Sequence, residues 1–161
     1  MKINSDIIWL ICEFMDDKSK VNFTSVSNSF IPFKNKIFYD DMISYNKIEK
    51  LYYFNRFRNV YVETMVKFPK FITNLTFGYF FDQDIKGAIP NSVTHLTFGD
   101  CFNQDIKEAI PGLVTHLTFG WNFNQDIKGA IPWSVTHLNM SDKFYKKNID
   151  DVPKHICVKT Y

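Results

Sequence analysis

The chain has no run of basic residues, no charged tail, no paired cysteines and no apolar stretch long enough to cross a bilayer. Each absence excludes a class of function. The three cysteines, Cys12, Cys101 and Cys157, lie far apart with no C-x-x-C spacing. An odd, scattered set supports neither a disulfide framework nor a zinc knuckle, so a reduced, cytoplasmic protein is expected. Lysine alternates with Asp and Glu and the net charge is only +2. Without a cationic footprint, nucleic acid is not an expected partner. The apolar run Ile7–Cys12 is bracketed by Asp6 and Glu13. It is too short for a membrane span and lacks a cleavage site, so no membrane partner is expected either. No Ser-His-Asp, Cys-His, P-loop or zinc pattern is present; the expectation is a non-enzyme with no catalytic residue, cofactor or metal. Glycine and proline are scarce, six of each, and most of the prolines fall at one fixed interval. What the chain does hold is apolar bulk. It is 45% hydrophobic over 161 residues, with 17 Phe, enough to bury a core.

The fixed interval is 21 residues. Leu75–His95, Leu96–His116 and Leu117–His137 are near-copies of one block, with LTFG, DIK, IP and VTH at the same places. Counting onward reaches Leu138, Met140, Phe144, Val152, Pro153 and Ile156. Counting back reaches Phe68, Pro69 and Ile72. A half unit therefore precedes the three full repeats and a degenerate capping repeat, 138–158, follows. Self-similarity at this period means stacked supersecondary units, which make an elongated surface suited to binding.

Within a unit, Val93, Leu96 and Phe98 and their counterparts alternate with polar residues, which predicts one half-buried strand. Four good strands are expected near 75–77, 96–98, 117–119 and 138–140, with weaker ones near 60–62 and 156–158. Gly78, Gly99 and Gly120 end the strands. Phe81, Phe102 and Phe123 then turn inward. Asp84, Asp105 and Asp126 are placed to N-cap a short helical or 3₁₀ turn that Pro90, Pro111 and Pro132 stop.

These units fit the Leu-x-x-Leu-x-Leu-x-x-Asn/Cys scheme of leucine-rich repeats, as in Val114, Leu117, Phe119 and Asn122. More closely, Phe-Asn-Gln-x-Ile…Ile-Pro-x-Ser-Val-Thr-His-Leu-x-Phe-Gly resembles the FNIP repeat, over roughly residues 66–158. That resemblance implies an amoebal or giant-virus protein in which such repeats often follow an F-box. Gly112 and Leu113 depart from the pattern in one return loop.

At the amino terminus, Ile7, Ile8, Leu10, Ile11, Phe14 and Met15 follow the spacing of one helical face. Asn4 is a suitable N-cap and Asp6 suits the first turn. Asp16 and Asp17 should break this helix, a second should begin near Ser19, and a third should run from Ser25 to Phe30. So small a bundle leaves apolar residues exposed unless a partner covers them. The segment resembles an F-box, through Ile3, Asn4, Asp6, Ile7, Leu10, Ile11, Phe14, Val21, Ser25, Val26, Ser27, Asn28 and Phe30. It departs where the motif's usual Pro is Asn4 and its usual basic residue is Asn28. The resemblance implies docking to a Skp1-like protein through Ile3, Asn4, Ile7, Ile8, Ile11, Phe14 and Val21. Between head and array, Phe38, Met42, Tyr45, Ile48, Leu51 and Tyr52 have helix-like spacing, and Val60–Val62 turns β-like.

Repetition lines residues up in columns. His95, His116 and His137 form one on the outer strand face, beside Thr76, Thr97 and Thr118. Imidazoles in line do not converge as metal ligands must; the open readings are a neutral stacked face or a partner surface. Positions that differ between copies should hold specificity, and Tyr79, Trp121 and Trp133 are the aromatic anchors among them. The target-binding candidates are therefore Tyr79, His95, His116, Trp121, Trp133 and His137.

The expected fold is an α/β repeat: a short helical F-box, 1–45, a helical linker with a first irregular strand, 46–65, and a leucine-rich-repeat-like solenoid, 66–161, with one parallel strand per 21-residue unit. The expected function is that of a monomeric substrate-recognition adaptor for a Skp1-cullin-F-box type ubiquitin ligase. The alternative is a scaffold repeat protein with no ligase link.

Overall fold

The computed structural model describes residues 5–26 and 30–161. Ile3 and Asn4 of the predicted docking set, and Ser27 and Asn28 of the F-box-like pattern, lie outside the described residues. The organising element is a seven-stranded parallel sheet whose strands follow chain order: β1 Ile43–Ser44, β2 Asn59–Val62, β3 Asn74–Phe77, β4 His95–Thr97, β5 His116–Thr118, β6 His137–Met140 and β7 Cys157–Thr160. From β3 to β6 the register is the sequence period itself: Leu75 pairs with Leu96, Leu96 with Leu117 and Leu117 with Leu138. All four leucines are buried, while the alternate Thr and His face outward. The strands form within a residue or so of the alternating stretches that predicted them.

Behind the sheet, each rung turns a corner and returns. Phe77, Phe98 and Phe119 stack at 5.4 and 5.8 Å between ring centroids. Phe81, Phe102 and Phe123 stack at 6.2 and 6.1 Å. Within a rung, Phe98 meets Phe102 at 4.0 Å and Phe119 meets Phe123 at 4.0 Å. Ile85, Ile106, Ile127, Val93, Val114 and Val135 complete a fully buried spine. At about 2–3 kcal/mol for each phenylalanine buried, two per rung make this spine the main source of stability. Neighbouring rungs are also tied by backbone bonds outside the strands: Cys101 N–H donates to Tyr79 O and Asn122 N–H to Asp100 O, both at 3.0 Å.

The corner aspartates act differently from the expected helix caps. Asp84, Asp105 and Asp126 each accept from the backbone N–H two residues on, at Lys86, Lys107 and Lys128, all at 2.9 Å. That is an Asx turn, followed by one i→i+3 bond, as from Ala109 N to Ile106 O at 3.0 Å. With Pro so close behind, there is no room to propagate a helix.

The head comprises α1 (Ser5–Glu13), α2 (Asp17–Ser25) and a 3₁₀ segment at Ile31–Asn35. Asp16 caps α2 by accepting from Ser19 N at 2.7 Å, and this bond holds its carboxyl below the usual carboxylate range. α2 is fastened to residues 38–41 through polar groups it buries. Lys20 Nζ meets Asp17 Oδ1 at 2.9 Å and Phe38 O at 3.1 Å, while Asp17 Oδ2 accepts from Asp41 N at 2.6 Å. The helical spacing between head and array is misleading. Residues 45–47 and 54–56 form only 3₁₀ turns, and β1 with the isolated Tyr39–Phe57 bridge adds irregular rungs instead. Tyr39, Ile48, Tyr53 and Phe57 are buried there, around a Tyr39–Phe57 stack at 4.8 Å. Turning rungs place apolar residues three or four apart much as a helix would.

The unit after the third repeat keeps the buried positions and changes the corner. Phe144, Val152 and Ile156 are buried where the period puts them. The corner itself is helical, α3 Asp142–Lys147, with Ser141 accepting from Phe144 N at 3.4 Å as its cap.

Candidate interaction surfaces

Two faces stand out, one at each end of the molecule's logic: an apolar helix face on the head and an ordered polar face on the sheet. α1 is apolar nearly all round. Ile8 and Cys12, four apart, point into this chain's own core. Ile7, Leu10, Ile11 and Phe14 point away from it, and Phe14 is 85% exposed. A helix apolar on both sides is at home only when both are covered. Of the residues predicted to dock, Ile7, Ile11 and Phe14 share this open face and Val21 is half-buried on α2. Ile8 is committed internally and is unavailable to a partner. Trp9 and Leu10 are exposed on the same helix; Leu10, named in the F-box-like pattern, was left out of the docking set although its spacing with Phe14 was the signal.

On the sheet's outer face, Asn74, His95, His116 and His137 stand in register, with Cys157 next. The imidazoles stack at 4.2 Å and 4.4 Å between centroids, 11° and 3° from parallel. Each Nδ1 lies 2.9 Å from the preceding threonine hydroxyl, at Thr94, Thr115 and Thr136. Those hydroxyls in turn donate to the backbone carbonyl of the rung before, at 3.2–3.3 Å. Each threonine hydroxyl thus links an imidazole Nδ1 to a backbone carbonyl of the neighbouring rung. Parallel rings direct their lone pairs side by side, which does not build a tetrahedral metal site. Partial burial, then the rings of His95 and His137 on either side, push the His116 imidazole below its ordinary range. The face is thus an ordered ladder of stacked rings and hydroxyls.

The variable positions lie along the array's edges. Tyr79, Trp121 and Trp133 are exposed, Trp133 by 80%. Tyr79 packs edge-on against Phe80 at 4.8 Å, and Trp133 sits 4.0 Å from the His155 ring. Trp121 approaches Tyr161 at 6.1 Å and borders a cavity beside α3. The structure does not gather these aromatics: Trp121 and Trp133 belong to different edges from the histidine column.

With this geometry in view, the FNIP Repeat family model matches residues 66–101 and 102–143. Residues 66–143 are FNIP repeats. The FNIP array also resembles a solved fold: the crystal structure of CroV588, a circular LRR protein, matches 65% of this chain with a TM-score of 0.55 and 36% identity. The fold is therefore a leucine-rich-repeat-like α/β solenoid. Among curated proteins, a putative F-box protein of Acanthamoeba polyphaga mimivirus is 38% identical over 63 residues, 39% of this chain. A putative FNIP repeat-containing protein and a second putative F-box protein of the same virus are each 30% identical, over 88 and 87 residues, 52% and 53% of this chain. The chain spans 47%, 22% and 33% of those three relatives and 17% of the circular protein. An FNIP array and relatives bearing the F-box name speak for protein interaction. Among the described residues, no helix is long and apolar enough to cross a membrane.

Proposed function

We propose that this chain is a cytoplasmic adaptor in which residues 1–45 act as an F-box and dock a Skp1-like subunit of a cullin-type ubiquitin ligase, while the array from 66 to 161 holds a target protein. The observation that carries the reading is the outer face of α1. Ile7, Leu10, Ile11 and Phe14 are exposed on a helix whose other side is already buried in its own chain. Exposed large apolar groups in one contiguous patch favour a protein partner. Asp17 and Lys20 tie α2 to residues 38–41, and Tyr39 in turn bridges to Phe57 just ahead of β2, which orients the head. A target on the array would then be held at a set distance from the ligase machinery. The chain's part in the chemistry is proximity, which raises the effective concentration of a target lysine beside a catalyst on another chain.

Co-purification of the full chain with a Skp1-like protein tests this. Ile7→Asp and Phe14→Asp should each abolish capture while the melting temperature stays near that of the parent, since Phe14 in particular is nearly free of its own chain. Capture that survives both substitutions would leave the scaffold reading in its place.

A further inference from the structure

We propose that the cavity between the third repeat and α3 seats a short acidic segment of the bound target, with two carboxylates on alternate residues. This deepens the adaptor reading and rests on it for the identity of the peptide's bearer. The cavity exists because a regular relay breaks. In the array, Asp82 Oδ1 accepts from Asn103 N and Gln104 Nε2, both at 2.9 Å. Asn103 Oδ1 accepts in turn from Asn124 N at 2.8 Å and Gln125 Nε2 at 3.0 Å. Counted on by the period, Asn124 should receive the backbone N–H of Tyr145. That group instead donates to Ser141 O at 3.0 Å, inside α3. Asn124 Oδ1 is left with the Lys147 ammonium at 3.3 Å. The phenylalanine column breaks at the same rung. Phe144 meets Phe123 edge-on, at 5.3 Å and 75°, where the preceding pair lies 1° from parallel.

The helix thus stands off from the rung and leaves a cavity of about 400 Å³ bordered by Trp121, Asn122, Asn124, Ser141, Lys143 and Lys147. No acidic side chain lines it. Asp142, the nearest acid on α3, is engaged by Lys146 at 2.6 Å. The period places Lys147 where the preceding rung has Asp126, and Lys143 where it has Asn122, so two ammonium groups border the cavity. Lys143 and Lys147 are one helical turn apart, roughly 6 Å between Cβ atoms. Alternate residues of an extended peptide lie about 6.8 Å apart on one face, so one carboxylate can meet each ammonium. The exposed indole of Trp121 forms one wall of the cavity, beside which the peptide backbone would run. A cavity of this size takes side chains, not a domain. The basic field a nucleic acid needs is missing, since the net charge is +2 with no cationic run.

The test is calorimetric titration of the full chain with the capped pentapeptide Gly-Glu-Phe-Glu-Gly and its Gln counterpart, with inorganic phosphate as competitor. Lys143→Glu and Lys147→Glu are made at exposed positions, and thermal melting checks that both remain folded. Saturable binding of the glutamate peptide with a Kd below about 1 mM, weakened at least tenfold by either charge reversal and by the Gln exchange, is expected. Equal binding of the two peptides, indifference to both reversals, full displacement by phosphate, or no binding in that range would each overturn the assignment. Skp1-like capture reads the opposite end of the chain. Capture without peptide binding removes only the pocket, and peptide binding without capture removes only the ligase link.

Discussion

Glu108 stands where the neighbouring rungs have Gly87 and Gly129, and it keeps their backbone, φ 59° against 68° for both glycines. A Cβ in the left-handed region costs about 1–2 kcal/mol. Its salt bridge to Lys86, 3.6 Å long and exposed, returns little of that. Glycine would add about 0.4–1 kcal/mol of unfolded-state entropy, so strain relief wins narrowly. Glu108→Gly should therefore raise the melting temperature by roughly 2 °C in thermal denaturation. The histidine ladder yields a pH prediction at the same scale. His116 in the folded chain is held below the value near 6.5 that it takes when unfolded, so the folded state binds fewer protons as acid is added. Its contribution is complete above the unfolded value and is lost as pH falls through that value toward the folded one. Melting followed across this range should show a decline that His116→Gln makes shallower. An identical decline in the variant would mean that other groups control it.

At the scale of the element, the rung is defined by how closely its neighbours approach. A Cβ built on Gly99 would overlap the backbone carbonyl of Gly78, and one on Gly120 that of Gly99. Backbone cannot yield as a rotamer can, so Gly99→Ala should destabilise by about 3 kcal/mol, read as a lowered urea midpoint, whereas Gly112→Ala, with open space around it, should change little. The same regularity decides what was legible in advance. Strands β3 to β6 were readable because period-2 alternation repeats three times in near-identical words, and register followed from the period. Helix α3 was hidden because counting by 21 correctly placed Phe144 and so hid the corner's change of form. Ser141 as a cap and the Asp142–Lys146 pair were the local signals. The segment before β2 was misread as helix because no second copy existed to expose the spacing of Tyr45, Ile48 and Leu51 as coincidence, whereas β2 itself was read as a strand. Of the candidate sites, exposure at Tyr79, Trp121 and Trp133 followed from their variability between copies. The burial of Ile8 could not, since helical spacing alone does not say which side of an all-apolar helix its own chain will cover.

For the molecule as a whole, stability should be nearly a sum of rungs and of contacts between adjacent rungs, since each strand pairs only with the next in sequence. That arrangement tolerates loss of a whole period and nothing in between. Removing 96–116 joins His95 to Leu117, which restores the His-Leu-Thr-Phe-Gly sequence and brings every column back into line: Leu75 against Leu117, Phe81 against Phe123, Asp82 against Asn124. Removing the ten residues 96–105 instead sets a corner isoleucine where a strand leucine is needed and breaks the buried phenylalanine columns. The first deletion should give a folded chain that melts cooperatively a few degrees lower, and the second an unfolded or aggregating one, by circular dichroism and thermal melting. The head supplies an internal control, because its ties through Asp17, Lys20 and Asp41 lie before β2 and neither deletion touches them. Capture of a Skp1-like protein should therefore persist in the 21-residue deletion. Comparable collapse in both deletions would mean that the array is one indivisible core rather than a stack.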